Sequence, residues 1–99
     1  MKVQTFPILP KKISFQLKKL TKSSARAYWK EAPGATGYEI LYSSTEKGSY
    51  QSIGYHQSLD CIVEKLEFGY IYYFNIRPYV YIGSKLYYGG LSKVVSIKM

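Results

Sequence analysis

The sequence is divided into short segments in which apolar and polar residues alternate, and turn-forming residues separate one segment from the next. Alternation with a period of two is typical of half-buried strands, and no segment has the 3.6-residue period of an amphipathic helix. The predicted strands span residues 13–17, 25–30, 38–42, 50–55, 59–64, 70–82 and 85–97. Seven strands at this spacing predict an all-β fold, a seven-stranded antiparallel β-sandwich, with an open barrel as the alternative.

Three features in and between the last two predicted strands affect how regularly these strands can pair. Gly83-Ser84 is typical of a two-residue hairpin turn, which needs a positive φ at its first position. Pro78 removes a ladder hydrogen bond, so it predicts a local bulge or a partly unpaired edge. Gly89-Gly90 predicts a bulge or a break in the returning strand.

Charge is distributed unevenly along the chain. The net charge is +8, and residues 1–30 carry eight Lys and Arg residues without any Asp or Glu. The charges of residues 31–99 cancel. A solvated, lysine-rich strand face is the plain interpretation, and a surface that attracts an anionic polymer is the alternative. No stretch approaches the roughly 20 apolar residues of a membrane-spanning helix.

The start of the chain predicts a leader rather than part of the sandwich. Pro7 and Pro10 keep this segment extended and interrupt its apolar run, so it is not typical of a signal peptide. We therefore expect residues 1–9 to be a leader or linker and residues 10–99 to form the domain.

Three local patterns together resemble one known family of domains. Trp29 is followed by the turn and strand PGATGYEI at residues 33–40. Residues 66–72, LEFGYIY, are similar to the family's Leu-x-Pro-Gly-x-x-Tyr corner, with Phe68 in place of the usual proline. Residues 87–97, YYGGLSKVVSI, are similar to the last strand of many bacterial modules. With these three patterns the chain resembles fibronectin type III domains, of the kind found in surface or secreted proteins of Gram-positive-like bacteria.

The resemblance implies a sandwich of immunoglobulin-like, fibronectin type III topology. It also implies which residues form the core and how the corner is closed. Trp29 is expected between the two sheets, since it offers the largest apolar surface in the chain. The Tyr72 hydroxyl is expected to contact backbone near Leu66 and so to fix the crossover between the sheets. The predicted structural core is Trp29, Tyr38, Ile40, Leu66, Tyr72, Phe74 and Ile76.

Residues capable of catalysis or metal binding are scarce, so we predict a domain that is not an enzyme and has no catalytic residues, metal or cofactor. His56, the only histidine, is expected in solvent beside a loop, and Cys61, the only cysteine, shares the apolar parity of its strand. One His and one Cys make an incomplete metal site. Asp60 and Glu64 are expected to pair across strands with the cations of residues 25–30 rather than to form a catalytic carboxylate pair.

Tyrosine content indicates where a partner would bind. Of 12 tyrosines, those at positions 73, 79, 81, 87 and 88 are too many for one thin core, and we predict Tyr73, Arg77 and Tyr79 as an interaction face on the sixth strand. Tyrosine pairs that only cover the sheet are the alternative. The predicted function is a structural or adhesive module that spaces or docks neighbouring domains in an extracellular or cell-surface protein. A carbohydrate-binding accessory module of a polysaccharide-acting enzyme, with a polysaccharide as partner, is the alternative, and nucleic acid is disfavoured.

Overall fold

The computed structural model describes residues 13–99, which form eight β-strands. The leader predicted for residues 1–9 lies outside the described residues. Proceeding along the chain, the strands are β1 Phe15–Thr21, β2 Ser24–Trp29, β3 Gly37–Ser43, β4 Gln51–His56, β5 Asp60–Val63, β6 Ile71–Ile82, β7 Lys85–Tyr88 and β8 Val95–Lys98.

The strands form two antiparallel sheets. The smaller sheet has the order β1-β2-β5, and the larger has the order β4-β3-β6-β7, with β8 also paired to β6. Strand β6 is the longest; it pairs with β3 along one side and with two shorter strands in succession along the other. This arrangement confirms the predicted β-sandwich.

The last predicted strand is two strands, so the sandwich has eight strands instead of seven. Residues 89–94 leave the ladder between β7 and β8, as the break predicted at Gly89-Gly90 requires. The Gly89 N–H still donates to the Pro78 carbonyl at 2.8 Å. Ser92 forms hydrogen bonds with both backbone groups of Ile76: its N–H donates to the Ile76 carbonyl, and its Oγ accepts from the Ile76 N–H. Pro78 is fully buried at the point where the partner of β6 changes from β8 to β7. Its missing N–H therefore breaks no pair with either strand.

The core between the sheets contains all seven residues that the sequence analysis named. Trp29 lies at its centre, with ring centroids 6.3 Å from Phe15 and 5.7 Å from Tyr38. Ala25 and Ala27 are completely buried on the same strand face, and their small side chains leave room for the indole. Burial of this cluster is the main stabilising term of the fold.

Two tyrosine hydroxyls fix loops to the core. The Tyr38 hydroxyl accepts from the Ala32 N–H at 2.7 Å, which holds the loop between β2 and β3. The Tyr72 hydroxyl accepts from the Glu67 N–H at 2.8 Å, and the neighbouring Leu66 N–H donates to the Ser23 carbonyl. The predicted contact of Tyr72 with backbone near Leu66 is thus confirmed, one residue further along.

Candidate interaction surface

The outer face of the larger sheet carries the residues predicted to meet a partner. Strand register places Arg77 of β6 opposite Glu39 of β3, and Tyr79 opposite Gly37. On the other side of β6, Tyr79 is opposite Tyr88 of β7. Since side chains alternate along a strand, these residues share the face that points away from the core.

An ion pair lies at the centre of this face. Arg77 Nε donates to Glu39 Oε1 at 2.7 Å, and the Glu39 side chain is only 4% exposed. Burial acts to raise the pKa of the Glu39 carboxyl, but the hydroxyls of Ser52 and Tyr55, together with the Arg77 guanidinium, outweigh it and hold that pKa below 4.5. The carboxylate is therefore ionised at neutral pH and neutralises Arg77 within the domain.

Two tyrosines on the flanking strands complete the surroundings of the ion pair. The Arg77 guanidinium lies 3.5 Å from the ring centroid of Tyr88, a cation–π contact. The Tyr88 hydroxyl shares a 2.5 Å hydrogen bond with the Tyr55 hydroxyl. This hydrogen bond is the largest cause of a raised pKa at Tyr55, so the phenol stays protonated at neutral pH. Arg77 was predicted as part of the interaction face, but its charge is already neutralised by Glu39 inside the domain.

Tyr79 differs from its predicted exposed position. It lies on the outer face but is only 5% exposed, because the rings of Tyr55 and Tyr81 pack against it edge-on at centroid distances of 5.2 and 6.0 Å. Its hydroxyl end occupies the space above Gly37, where a Cβ atom would come within 2.5 Å of the Tyr79 oxygen. The ring is therefore a second, outer layer of packing and offers a partner little surface.

Tyr73, the third predicted residue, is half-buried and lies nearer the other end of β6. Its register partners are Ser43 of β3 and Ser96 of β8, so it is separated along β6 from the Tyr79 cluster. Asn75, between Tyr73 and Arg77 on the same face, is buried. The three predicted residues are thus on one face, but they do not form one exposed strip.

The exposed aromatic surface is formed by three other tyrosines, which we call the tyrosine patch: Tyr55, Tyr81 and Tyr88. Their exposed fractions are 49%, 54% and 39%. Tyr81 and Tyr88 are among the tyrosines that were too many for the predicted core, but neither they nor Tyr55 were predicted as part of the interaction face. The alternation of side chains along β4 indicates that Tyr55 faces outward. Its position beside Tyr88 depends on the strand order β4-β3-β6-β7.

The smaller sheet has the cross-strand charge pairing that the sequence predicted. Arg26 donates to one carboxylate oxygen of Asp60 from both Nε and Nη2, at 3.1 and 2.9 Å. Both side chains are nearly half-exposed, so the pair contributes little to stability. Glu64 was predicted to pair in the same way, but within residues 13–99 it forms no ion pair.

His56 and Cys61 lie on the neighbouring edges of the two sheets. The His56 ring packs 6.4 Å from the ring of Trp29, so it is half-buried at the end of β4 and not in a solvated loop as expected. Burial, and then the charge of Asp60, raises the pKa of the Cys61 thiol to about 11. In residues 13–99, no three His, Cys, Asp or Glu side chains are grouped so that they could hold a metal ion. This part of the chain also contains no helix that could span a membrane.

Comparison with known proteins finds no matching family model and no matching curated protein. Solved structures do match. The sixth fibronectin type III domain of human fibronectin type III domain containing protein 3 is 17% identical, with a TM-score of 0.77 over 96% of this chain and 89% of that one. An Fn3-like protein from Clostridium thermocellum is 22% identical, with a TM-score of 0.71 over 91% of this chain and 90% of that one.

A β-1,2-glucanase from Parabacteroides distasonis contains a similar fold as a small part of a long chain. It is 17% identical, with a TM-score of 0.76, and the match covers 98% of this chain and 13% of the glucanase. Together with the sheet order and the corner formed by Tyr72, these likenesses show that the chain has the fold of a fibronectin type III domain.

Proposed function

We propose that residues 10–99 are a non-catalytic module that spaces and docks neighbouring domains, with residues 1–9 as a linker, in a secreted or cell-surface bacterial protein. The tyrosine patch is the observation that carries this proposal. It is an exposed aromatic surface above an ion pair that the domain has already neutralised. Tyr is enriched in protein interfaces, where it contributes contact area and a hydroxyl.

The patch is held in place before any partner arrives. Tyr55 and Tyr88 are joined through their hydroxyls, Tyr88 stacks on Arg77, and Tyr81 packs against Tyr79. Rings that are already fixed lose little side-chain entropy on binding, which favours affinity. The same contacts leave no uncompensated charge at the centre of the surface.

The fold comparisons support the modular and bacterial parts of the proposal. The Clostridium thermocellum protein is a bacterial example of the fold, and the glucanase has the fold as one part of a larger chain. The recurrence of the fold within longer chains supports a role as one domain among several.

A polysaccharide is the second candidate partner, and the neutrality of the patch favours it. Exposed tyrosine rings offer flat faces on which a sugar ring can stack, while the cations of the chain are concentrated in residues 1–30. Nucleic acid would need unpaired cations beside the rings, and Arg77 is paired with Glu39.

The test compares Tyr81→Ala with Tyr70→Ala. Both tyrosines are more than half-exposed, at 54% and 58%, but Tyr70 lies outside the patch, at the turn before β6. Binding to the adjoining domain of the parent protein is measured by isothermal titration calorimetry, and binding to soluble neutral polysaccharides by affinity electrophoresis. We expect Tyr81→Ala to weaken domain binding at least tenfold and Tyr70→Ala to leave it unchanged.

Two results would contradict docking through the patch. In one, the wild-type domain does not bind its neighbour; in the other, both variants bind it equally well. Retardation by a polysaccharide that Tyr81→Ala abolishes would instead support the second candidate.

A further inference from the structure

One side of the sandwich is open between the two sheets. Among residues 13–99, β4 pairs only with β3, and β5 pairs only with β2. A cleft of about 440 Å³ lies between these two strands. The side chains that line its inner part are mostly apolar or aromatic: Tyr42, Ile53, Cys61, Val63, Leu66 and Tyr72.

The free edge of β5 offers backbone hydrogen-bonding groups. The Trp29 N–H donates to the Leu59 carbonyl, so the odd-numbered residues of this segment face β2 and the even-numbered ones face away. The Asp60 carbonyl accepts from Ser58 Oγ at 2.8 Å, which agrees with this alternation. The N–H and C=O of Ile62 therefore point outward, and the described residues give them no partner.

The opposite edge, on β4, is unsuitable for pairing. A register shift between Ile40 and Leu41 of β3 marks a bulge in this strand pair, and Gly54 of β4 has φ of 137°. Bulges twist an edge away from regular pairing and are a common protection against edge-to-edge association. Strand β5 has a regular register with β2 and is unprotected in this way.

Two carboxylates lie at the mouth of the cleft. Glu64 and Glu67 both line it, together with the single cation Lys65. In the described part of the chain the two ion pairs are Arg26–Asp60 and Arg77–Glu39, so neither glutamate at the cleft has an ion-pair partner there. The cleft is therefore apolar inside and carries a negative excess at its rim.

We propose that β5 is the docking site for an extended peptide that carries an apolar side chain flanked by Lys or Arg. The peptide backbone adds a strand to β5 through Ile62, as in other β-augmentation complexes. Its apolar side chain enters the cleft between the sheets, and its cations face Glu64 and Glu67. This site lies on the open side of the sandwich and is independent of the tyrosine patch, so it goes beyond the proposed function.

The test uses the full chain, labelled with ¹⁵N, and a capped hexapeptide of alternating lysine and valine. We expect chemical-shift changes centred on residues 60–67 and slower hydrogen exchange at the Ile62 amide when the peptide is bound. A hexapeptide of alternating glutamate and valine should bind at least tenfold more weakly, because the rim carries the same sign of charge.

Two substitutions at one position separate backbone pairing from side-chain contact. Ile62→Pro removes the outward N–H, which β2 does not use, and should weaken binding at least tenfold. Ile62→Thr also replaces the exposed isoleucine side chain, with a smaller and more polar one, but it keeps the N–H. This variant should bind the peptide like the wild type. If Ile62→Pro proves unfolded in its ¹⁵N spectrum, Glu64→Lys replaces it and should reduce the preference for the lysine peptide.

Three results would overturn the proposal. The first is the absence of shift changes at millimolar lysine peptide. The second is an Ile62 amide that exchanges slowly without peptide, because that edge would already be covered. The third is peptide binding that a folded Ile62→Pro variant retains, or peptide binding whose chemical-shift changes lie in the tyrosine patch instead of β5.

Discussion

Replacing Tyr72 with Phe tests how the corner between β5 and β6 is held. The substitution removes the hydroxyl that accepts from the Glu67 N–H at 2.8 Å and leaves the ring in the core. A partly buried N–H that loses its acceptor costs about 1–2 kcal/mol. With a urea m-value of about 1–2 kcal/mol per molar for a domain of this size, the midpoint of urea unfolding should fall by about 1 M.

Tyr73→Phe is the matched control, because Tyr73 is the next residue of β6 and points to the opposite face. No hydrogen bond of its hydroxyl is part of the corner, so we expect a change below about 0.5 kcal/mol. Urea unfolding followed by Trp29 fluorescence reports both variants with the same probe. Equal losses in the two variants would refute the assignment of the hydroxyl as the contact that holds the corner.

Two further predictions concern titratable groups in the folded domain. Because the folded-state pKa of Glu39 is held below 4.5, its pair with Arg77 stabilises the domain above about pH 4.5 and is lost as the pH falls through that lowered pKa. The urea midpoint of Glu39→Gln should therefore vary less between pH 3 and 5 than that of the wild type, and parallel curves would contradict this. The Cys61 thiol, with its pKa raised to about 11, should react with iodoacetamide at pH 8 at least tenfold more slowly in the folded domain than in urea; equal rates would contradict its burial.

The sequence predicts which face of a strand a residue occupies better than it predicts how exposed a residue on the outer face is to solvent. Alternation assigns Phe74 and Ile76 to the core and Arg77 and Tyr79 to the outer face, and the structure has the same assignment. The burial of Tyr79 depends on Gly37 beneath it and on Tyr55 two strands away. Those neighbours follow from strand order and register, which alternation within one strand does not specify.

The same reason accounts for the differences at His56 and in the last strand. His56 was expected in solvent beside a loop. It is the last residue of β4, in the larger sheet, and its ring packs against Trp29 of the smaller sheet. Gly89-Gly90 correctly indicated an interruption. Its length depends on Ser92, which satisfies the backbone of Ile76 in place of a ladder partner. Such tertiary hydrogen bonds have no local signature in the sequence.

The division of the last strand into β7 and β8 has a mechanical consequence. Strand β8 is joined to β6 by a ladder of four residue pairs, and its end is fastened by the Met99 N–H to the Tyr70 carbonyl and by Lys19 to the Met99 carbonyl. Tension on this end loads that short ladder first, and every residue that peels away lengthens the chain by roughly 3.3–3.6 Å. The tyrosine patch lies on β4, β6 and β7, so none of its strand pairs involves β8. In the proposed role as a spacer, a load on β8 is passed by strand pairing to β6 before it reaches the tyrosine patch.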